Sequence, residues 1–325
     1  MSFTPAQPLS ILILLPWDAS YRSAYEDLIR AARPDVAIRT VSRLQDASDL
    51  IDAVDVFMAF GASISHDIFQ NARRLRWIHA FGTGLDGIID QPSLDPTVIV
   101  TATRGIHGAP LSELAILQML ALARDFPRSV RAQERRHWDR FRARLLFGKR
   151  AGVFGMGQIA TELAPRLKAL GMEVVGFTRK RRDLAGFERC YTREQFLETA
   201  GTLDFLVLLA PLEADTRRII DDRALRAMKK SAYLINIARG ALIDEGALIS
   251  ALKEGRLAGA AIDTTEREPL PPDDSLWDAP NLILTPHLGG FYDTYVEDSI
   301  DQILFNLDQF RAKKFGAMKN REKRG

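Results

Sequence analysis

The 325-residue chain contains a single cysteine, Cys190. One thiol excludes an intrachain disulfide and a metal site built from several cysteines, and it is typical of proteins from a reducing cytosol. We therefore expect a cytoplasmic protein without a bound metal.

Long apolar stretches and an excess of one charge are also missing. The most apolar runs, Ile11–Leu15 and Leu203–Leu212, are far shorter than the roughly 20 residues that a membrane-spanning helix needs. Lysine and arginine number 44 against 42 aspartate and glutamate residues, which leaves a net charge of +2. This near balance argues against a nucleic-acid partner. We expect neither a membrane nor a nucleic acid as partner.

The composition, with 46% hydrophobic and 26% charged residues, is that of a globular protein, and the length favours two domains. Short apolar runs alternate with amphipathic stretches in two series. The predicted strands are Ile11–Leu15, Ala37–Val41, Val54–Phe60, Trp77–Phe81 and Val98–Thr101, then Ala151–Phe154, Glu173–Phe177, Phe205–Leu209, Ala232–Ile237, Ala260–Asp263 and Leu282–Leu284. The predicted helices include Ser20–Ala32, Pro110–Arg124, Ile159–Leu170, Glu245–Glu254 and Thr294–Ala312. This alternation predicts an α/β protein with two doubly wound parallel sheets.

A glycine-rich turn opens the second series. Gly155-Met156-Gly157-Gln158-Ile159-Ala160 follows an apolar strand and begins a helix, which is the GxGxxA form of the dinucleotide-binding fingerprint. Gly155 allows a tight turn, Gly157 lets a pyrophosphate approach the backbone, and Ala160 keeps the helix close to its strand. The alternative is a turn that binds nothing, but the strand and helix around it favour a dinucleotide site.

The residues after the next strand bear on the choice of cofactor. NAD enzymes usually place Asp or Glu there to bind the ribose 2′-hydroxyl. This chain instead has Thr178, followed by the basic run Arg179, Lys180, Arg181 and Arg182. Basic groups attract a 2′-phosphate, so we predict NADP(H) as the preferred cofactor, with NAD(H) possible. The alternative is a solvated basic loop.

Three polar residues follow predicted strands in the last third of the chain: Arg239, Glu268 and His287. Ligands of open parallel sheets bind at the carboxyl ends of the strands. There Arg239 can bind a carboxylate and polarise the neighbouring carbonyl, and His287 can exchange a proton with the carbonyl oxygen. Glu268 can accept a hydrogen bond from the other imidazole nitrogen and so orient the ring. Taken singly, each could instead be structural: an arginine that bridges strand and loop, a surface carboxylate and a structural histidine.

Together these motifs resemble the D-isomer-specific 2-hydroxyacid dehydrogenase family over essentially the whole chain. The matching segments are Gly82–Asp86, Gly155–Ala160, Ala210–Leu212, Asn236–Gly240, Asp263–Pro271 and Thr285–Gly290. The resemblance implies a flavodoxin-like substrate domain, residues 1–102 and 288–325, interrupted by a Rossmann NAD(P)-binding domain, residues 103–287. The C-terminal helix would then return to the first domain.

The resemblance also implies roles for single residues. Backbone amides around Thr83 and Gly84 would bind the substrate carboxylate, together with Arg239. Glu268 would be the carboxylate that pairs with His287, and Glu266 its structural neighbour. Asp263 would bind the nicotinamide carboxamide, and Pro211 would lie beside the adenine. The candidate cofactor contacts are Gly155, Met156, Gly157, Gln158, Ile159, Thr178, Arg179, Lys180, Pro211, Ile237 and Asp263.

The function implied is hydride transfer between NADP(H) and a small 2-keto acid or D-2-hydroxy acid, of the glyoxylate or hydroxypyruvate reductase type. Family members are usually homodimers, with the helix after Pro110 and the segment Arg124–Phe147 at the interface. The alternative is a nucleotide-sensing binding protein or corepressor on the same fold. That alternative predicts erosion of the Arg–Glu–His set, whereas all three residues are present.

Overall fold

A computed structural model describes residues 8–16, 19–180 and 183–323. Its strands in chain order are β1 (Ser10–Leu14), β2 (Ala37–Val41), β3 (Val56–Ala59), β4 (Trp77–Ala80), β5 (Ile99–Ala102), β6 (Arg150–Phe154), β7 (Glu173–Thr178), β8 (Arg189–Thr192), β9 (Phe205–Leu208), β10 (Tyr233–Asn236), β11 (Gly259–Ile262) and β12 (Leu282–Leu284). Its α-helices are α1 (Ala19–Ala32), α2 (Leu44–Leu50), α3 (Gly108–Ala123), α4 (Phe126–Glu134), α5 (Gln158–Ala169), α6 (Phe196–Ala200), α7 (Asp222–Ala227), α8 (Glu245–Lys253) and α9 (Tyr295–Arg311).

The described residues form two compact units, one within 1–106 and 293–325 and the other within 107–292. The first crossing lies after 106, and Thr103 belongs to the first unit, where its backbone N–H donates to the Ala80 carbonyl at 2.9 Å. The domain limits that the resemblance implies, 1–102 with 288–325 and 103–287, stay a prediction. The second crossing lies after 292. Leu288 and Gly289 stay in the second unit, where both backbone N–H groups bind the Asp263 carboxylate.

The first unit is built on a parallel sheet of order β2-β1-β3-β4-β5. This 2-1-3-4-5 order is that of flavodoxin-like folds. Successive residues of β1 face opposite sides and enter two separate apolar clusters, as a sheet covered on both faces requires. Helix α9 returns to this unit and packs on α1, where Tyr25 and Ser299 hydroxyls lie 2.6 Å apart.

The second unit contains a parallel sheet of order β12-β11-β10-β9-β6-β7-β8. Numbered from β6, this is the Rossmann order 3-2-1-4-5-6 with one further strand. The order reverses between β6 and β9, so a crevice at the carboxyl ends of these strands is expected to bind a ligand. The prediction of two doubly wound parallel sheets is therefore confirmed.

One strand of this sheet was not predicted. Among the described residues, strand β8 lies at the sheet edge and pairs only with β7, and Cys190 is its one buried residue. A strand covered on one side does not need a continuous apolar run, so its sequence, Arg-Cys-Tyr-Thr, lacks the signal that marks the other strands. Cys190 is a buried free cysteine, and the cytoplasmic location inferred from it stays a prediction.

Within the described ranges, no helix combines the length and apolar character that a membrane span requires. The same residues contain no group of three or more His, Cys, Asp or Glu side chains placed to hold a metal ion.

Candidate active site

The three predicted catalytic residues follow three neighbouring strands of the second unit. Strands β10, β11 and β12 run parallel, with Asn236 opposite Ile262 and Ile262 opposite Leu284. Because the three strands end at the same level, the segments that carry Arg239, Glu268 and His287 all begin at one edge of the sheet. This is the edge at which open parallel sheets bind ligands.

The turn that carries Arg239 is organised by a buried amide. The side chain of Asn236 is fully buried; its nitrogen donates to the Arg239 carbonyl at 2.8 Å, and its oxygen accepts from the Ala238 N–H at 3.1 Å. The half-buried Arg239 also donates from Nη1 to the Ala238 carbonyl at 2.7 Å. Asn236 therefore fixes the backbone from which the guanidinium projects. The sequence signal for this role was a polar residue at the end of an apolar strand.

Glu268 and His287 are brought together directly. His287 Nδ1 lies 2.7 Å from Glu268 Oε2, and the other carboxylate oxygen accepts the Thr265 N–H at 3.1 Å. The imidazole is 40% exposed and the carboxylate side chain 27%, so both groups remain accessible to a small ligand. This is the pairing that the sequence predicts.

The backbone of His287 has an unusual conformation that a second carboxylate supports. Its φ is +53°, in the left-handed region that few residues other than glycine adopt. Asp263, which is 2% exposed, accepts hydrogen bonds from the Thr285 hydroxyl at 2.5 Å and from the N–H groups of Leu288 and Gly289, each at 2.9 Å. Both Asp263 oxygens therefore hold the turn that presents the imidazole. A contact of Asp263 with nicotinamide stays a prediction.

Glu266, the structural neighbour of Glu268, has different partners. Its carboxylate lies 3.6 Å from Arg217 and 3.5 Å from Arg218, and its backbone N–H donates to Glu245 at 2.7 Å. Burial raises the pKa of Glu245 above its ordinary value, although the hydrogen bond from the Glu266 N–H opposes the shift. Of the two neighbouring carboxylates, only Glu268 is therefore placed against His287.

The glycine-rich turn after β6 has the geometry that its sequence predicts. Gly155 has φ +103°, and a Cβ there would lie 2.4 Å from the backbone nitrogen of Ala210, so glycine is required. Gly157 precedes α5, and a Cβ at that position would meet nothing within 4 Å. The space beside Gly157 and the N–H groups that begin a 12-residue helix fit a pyrophosphate.

A cavity of about 210 Å³ lies beside this turn. Its lining includes six of the predicted cofactor contacts: Gly155, Met156, Gly157, Thr178, Arg179 and Pro211. It also includes three residues that were not predicted: Arg193, Leu209 and Glu213. The cavity thus brings together the glycine turn, the end of β7 and the segment after β9, a combination that fits a dinucleotide lying across the switch point.

The predicted phosphate-binding cation is already paired with acids. Arg179 Nη2 contacts Glu213 and lies 3.0 Å from Asp215 Oδ2. The hydrogen bond with Asp215, followed by the negative charges of Asp215 and Glu213, raises the pKa of Arg179 above its ordinary value. Lys180 is exposed, whereas Arg181 and Arg182 of the predicted basic run lie outside the described residues. The positive charge of Arg179 is therefore already compensated by the carboxylates of Glu213 and Asp215.

The other residues predicted to bind cofactor or substrate do not line this cavity. Gln158 and Ile159 are the first residues of α5, and Ile237 is buried in the core just after β10. Thr83 and Gly84 follow β4 in the first unit, where the Thr83 hydroxyl donates to the Thr103 carbonyl at 3.2 Å. Their role in binding a substrate carboxylate stays a prediction.

Comparison with known proteins adds independent evidence. A sequence profile described as the NAD binding domain of D-isomer specific 2-hydroxyacid dehydrogenases matches residues 116–289, which is more than half of the chain. The chain is 31% identical to a glyoxylate reductase of Pyrococcus horikoshii over 76% of this chain and 77% of that protein. It is 34% identical to a D-3-phosphoglycerate dehydrogenase of Methanocaldococcus jannaschii over 82% of this chain, but it spans only 52%, about half, of that longer protein.

Solved structures agree. A D-isomer specific 2-hydroxyacid dehydrogenase family protein from Aeromonas salmonicida is 28% identical, with a TM-score of 0.86 and coverage of 98% of this chain and 100% of that one. A D-isomer specific 2-hydroxyacid dehydrogenase from Xanthobacter autotrophicus, crystallised with NADPH and MES, is 26% identical, with a TM-score of 0.79 and coverage of 98% of both chains. The resemblance inferred from the motifs is confirmed, and the chain belongs to the D-isomer-specific 2-hydroxyacid dehydrogenase family.

Proposed function

We propose that this protein catalyses reversible hydride transfer between a nicotinamide dinucleotide and a small 2-keto acid or D-2-hydroxy acid. The observation that carries the proposal is the 2.7 Å contact between His287 Nδ1 and Glu268 Oε2, at the sheet edge where Arg239 also emerges. A histidine oriented by a carboxylate on one nitrogen leaves the other free to exchange a proton with a ligand.

Each residue then has one task in reduction. Arg239 binds the substrate carboxylate and places positive charge beside the carbonyl, where negative charge grows in the transition state. His287 donates a proton to the carbonyl oxygen and takes it back in the oxidation direction. Glu268 holds the imidazole and balances its positive charge. The dinucleotide, when bound, supplies or accepts the hydride.

The second unit is the proposed dinucleotide-binding domain, with NADP(H) preferred over NAD(H). The support is the absence of a carboxylate at Thr178, the Arg179 side chain on the cavity wall, and a relative of known structure that binds NADPH. The first unit, with Thr83 and Gly84, is the proposed substrate domain. Glyoxylate and hydroxypyruvate are the proposed substrates, supported by the similarity to a glyoxylate reductase.

The decisive experiment is an initial-rate panel with glyoxylate, hydroxypyruvate, pyruvate and phosphohydroxypyruvate, each with NADPH and with NADH. We expect the highest kcat/KM with NADPH and one of the first two acids. Glu268→Gln should lower kcat, and Glu266→Gln is the matched control, because it removes the same charge two residues away without touching His287. No turnover with any keto acid would refute the proposed activity, and a higher kcat/KM with NADH would refute the proposed preference.

The proposal extends to a homodimer formed through α3 and the segment 124–147. Large apolar side chains are exposed here, among them Trp138 at 93% and Phe147 at 73%, and exposed apolar surface of this extent is typical of association sites. Light scattering after size-exclusion chromatography should give the mass of two chains for the wild type and of one chain for Trp138→Lys. Trp277→Lys, which changes an exposed tryptophan outside the segment, should stay dimeric. A monomeric wild type would contradict the proposal.

A further inference from the structure

Two arginines that follow neighbouring strands of the sheet line the cavity together. Thr178, the last residue of β7, is opposite Thr192, the last residue of β8, so Arg179 and Arg193 are the first residues beyond two paired strand ends. A capping box of Thr192 and Gln195 fixes the short helical turn that contains Arg193. Both arginines line the cavity, although only Arg179 belongs to the basic run noted in the sequence.

Two carboxylates face these arginines from the segment after β9. Asp215 Oδ2 lies 2.9 Å from Arg193 Nη1 and 3.0 Å from Arg179 Nη2, and Glu213 contacts Arg179 and lies 3.7 Å from Arg193. The buried Thr216 hydroxyl holds this segment, since it donates to the Pro211 carbonyl at 2.8 Å and accepts the Glu213 N–H at 2.7 Å. The formal charges of the four side chains cancel.

The two guanidinium groups differ in solvent exposure and in whether all their N–H donors have partners. Arg179 is 57% exposed, whereas Arg193 is 12% exposed, and its Nε is buried without a hydrogen-bond partner among the described residues. A buried donor without a partner is unfavourable, and Arg193 lines the cavity, so an acceptor bound in the cavity lies within reach of this guanidinium. A phosphate supplies several acceptor oxygens and matches the planar guanidinium fork.

The carboxylates oppose the same phosphate. Although desolvation raises the pKa of Asp215, the hydrogen bond from Arg179 and the charges of Arg193 and Arg179 hold it below its ordinary value, so Asp215 is ionised at neutral pH. A 2′-phosphate carries close to two negative charges, and it must compete with Asp215 and Glu213 for the guanidiniums. A cofactor with a free 2′-hydroxyl meets no such competition.

We propose that Arg193 is a second cationic ligand of the cofactor 2′-phosphate and that Asp215 is the anion that this phosphate replaces. The cluster of Arg179, Arg193, Glu213 and Asp215 thus determines cofactor specificity through exchange of ion-pair partners. The inference rests on the proposed use of NADP(H), and it makes Asp215 a residue that weakens NADP(H) binding.

Isothermal titration of the full chain with NADPH and with NADH tests this directly, without turnover. Arg193→Met should weaken NADPH binding at least tenfold and change NADH binding less than twofold. Asp215→Asn should strengthen NADPH binding about threefold or more, with NADH again within twofold. Arg189→Met is the matched control, because Arg189 lies on strand β8, which Arg193 directly follows, and its guanidinium lies over the Tyr191 ring rather than on the cavity wall. It should leave both affinities within twofold.

Several results would overturn the inference. The first is an NADPH affinity of Arg193→Met within twofold of the wild type. The second is a loss of NADH affinity in Arg193→Met as large as its loss of NADPH affinity. The third is a loss of NADPH affinity in Arg189→Met as large as that in Arg193→Met. Weaker NADPH binding by Asp215→Asn would show that the carboxylate organises the site rather than competing for it, and this arm decides the question if Arg193→Met does not fold. A wild type that binds NADH alone refutes the inference but leaves the dehydrogenase standing, whereas one that binds neither dinucleotide refutes the proposed function itself.

Discussion

The buried Asp263 carboxylate offers the sharpest test of how the site is held. It accepts three hydrogen bonds from the turn that contains His287. In Asp263→Asn, the amide oxygen can keep the bonds from Thr285 and Leu288, but the amide NH₂ would face the Gly289 N–H, and two donors repel. The loss of one hydrogen bond to a charged acceptor costs about 1.5–3 kcal/mol, and the two facing donors bring the estimate to the upper part of that range.

We expect the imidazole of His287 to be displaced and the activation free energy to rise by the same amount. The value of kcat should then fall by about 30- to 150-fold, since about 1.4 kcal/mol corresponds to a factor of ten. The assay is kcat with saturating keto acid and NADPH, beside the NADPH dissociation constant from titration. An NADPH dissociation constant within threefold of the wild type would assign the loss of kcat to the turn, whereas a larger change would indicate the contact with the nicotinamide carboxamide that the resemblance implies. Asp273→Asn, an identical change at an exposed position, is the control. A kcat within twofold of the wild type, with unchanged NADPH binding, would refute the reasoning.

Three further outcomes are expected. His287→Ala should lower kcat by about 100-fold or more, as loss of a general acid does, and a near-wild-type kcat would reject that role. Arg239→Ala should raise KM and lower kcat together, and an unchanged kcat/KM would reject its anchoring role. Burial lowers the pKa of His79 to about 3, so the folded state keeps this ring neutral below pH 6.5 while the unfolded chain protonates. The free energy of unfolding, measured with urea, should therefore fall by about 1.4 kcal/mol more per pH unit below 6.5 in the wild type than in His79→Gln, and equal slopes would contradict this.

Much of the fold follows from local patterns in the sequence. Continuous apolar runs such as Phe205–Leu208 and Tyr233–Ile235 are buried on both faces of the sheet, and that burial makes them recognisable in the sequence. Polar residues directly after such runs are placed at the ligand-binding edge by topology alone. This is why Arg239, Glu268 and His287 could be proposed without knowing how their strands are arranged.

The cofactor pocket was harder to predict because its composition depends on pairing between distant segments. Glu213 and Asp215 are exposed acids in a polar segment, and nothing local indicates that they meet Arg179. Arg193 follows an edge strand whose single buried side chain gives no strand signal. Sequence patterns report which side chains are buried, but they do not report which exposed charges of different loops neutralise each other.

Burial also distinguishes the catalytic residues of the candidate site, around Arg239 and His287, from the residues of the cofactor cavity, around Arg179. At the catalytic edge, buried polar side chains form hydrogen bonds with the backbone of nearby turns. Asn236 holds the turn of Arg239, and Asp263 holds the turn of His287. Both groups are nearly inaccessible to water, so removing either leaves donors or acceptors unsatisfied, and the cost appears in the position of a catalytic side chain. At the cofactor edge, Arg179 and Asp215 are exposed, and their interaction is screened by solvent. Substitutions there should therefore change which dinucleotide binds rather than whether the turns keep their shape, which makes cofactor preference the more easily altered property of this protein.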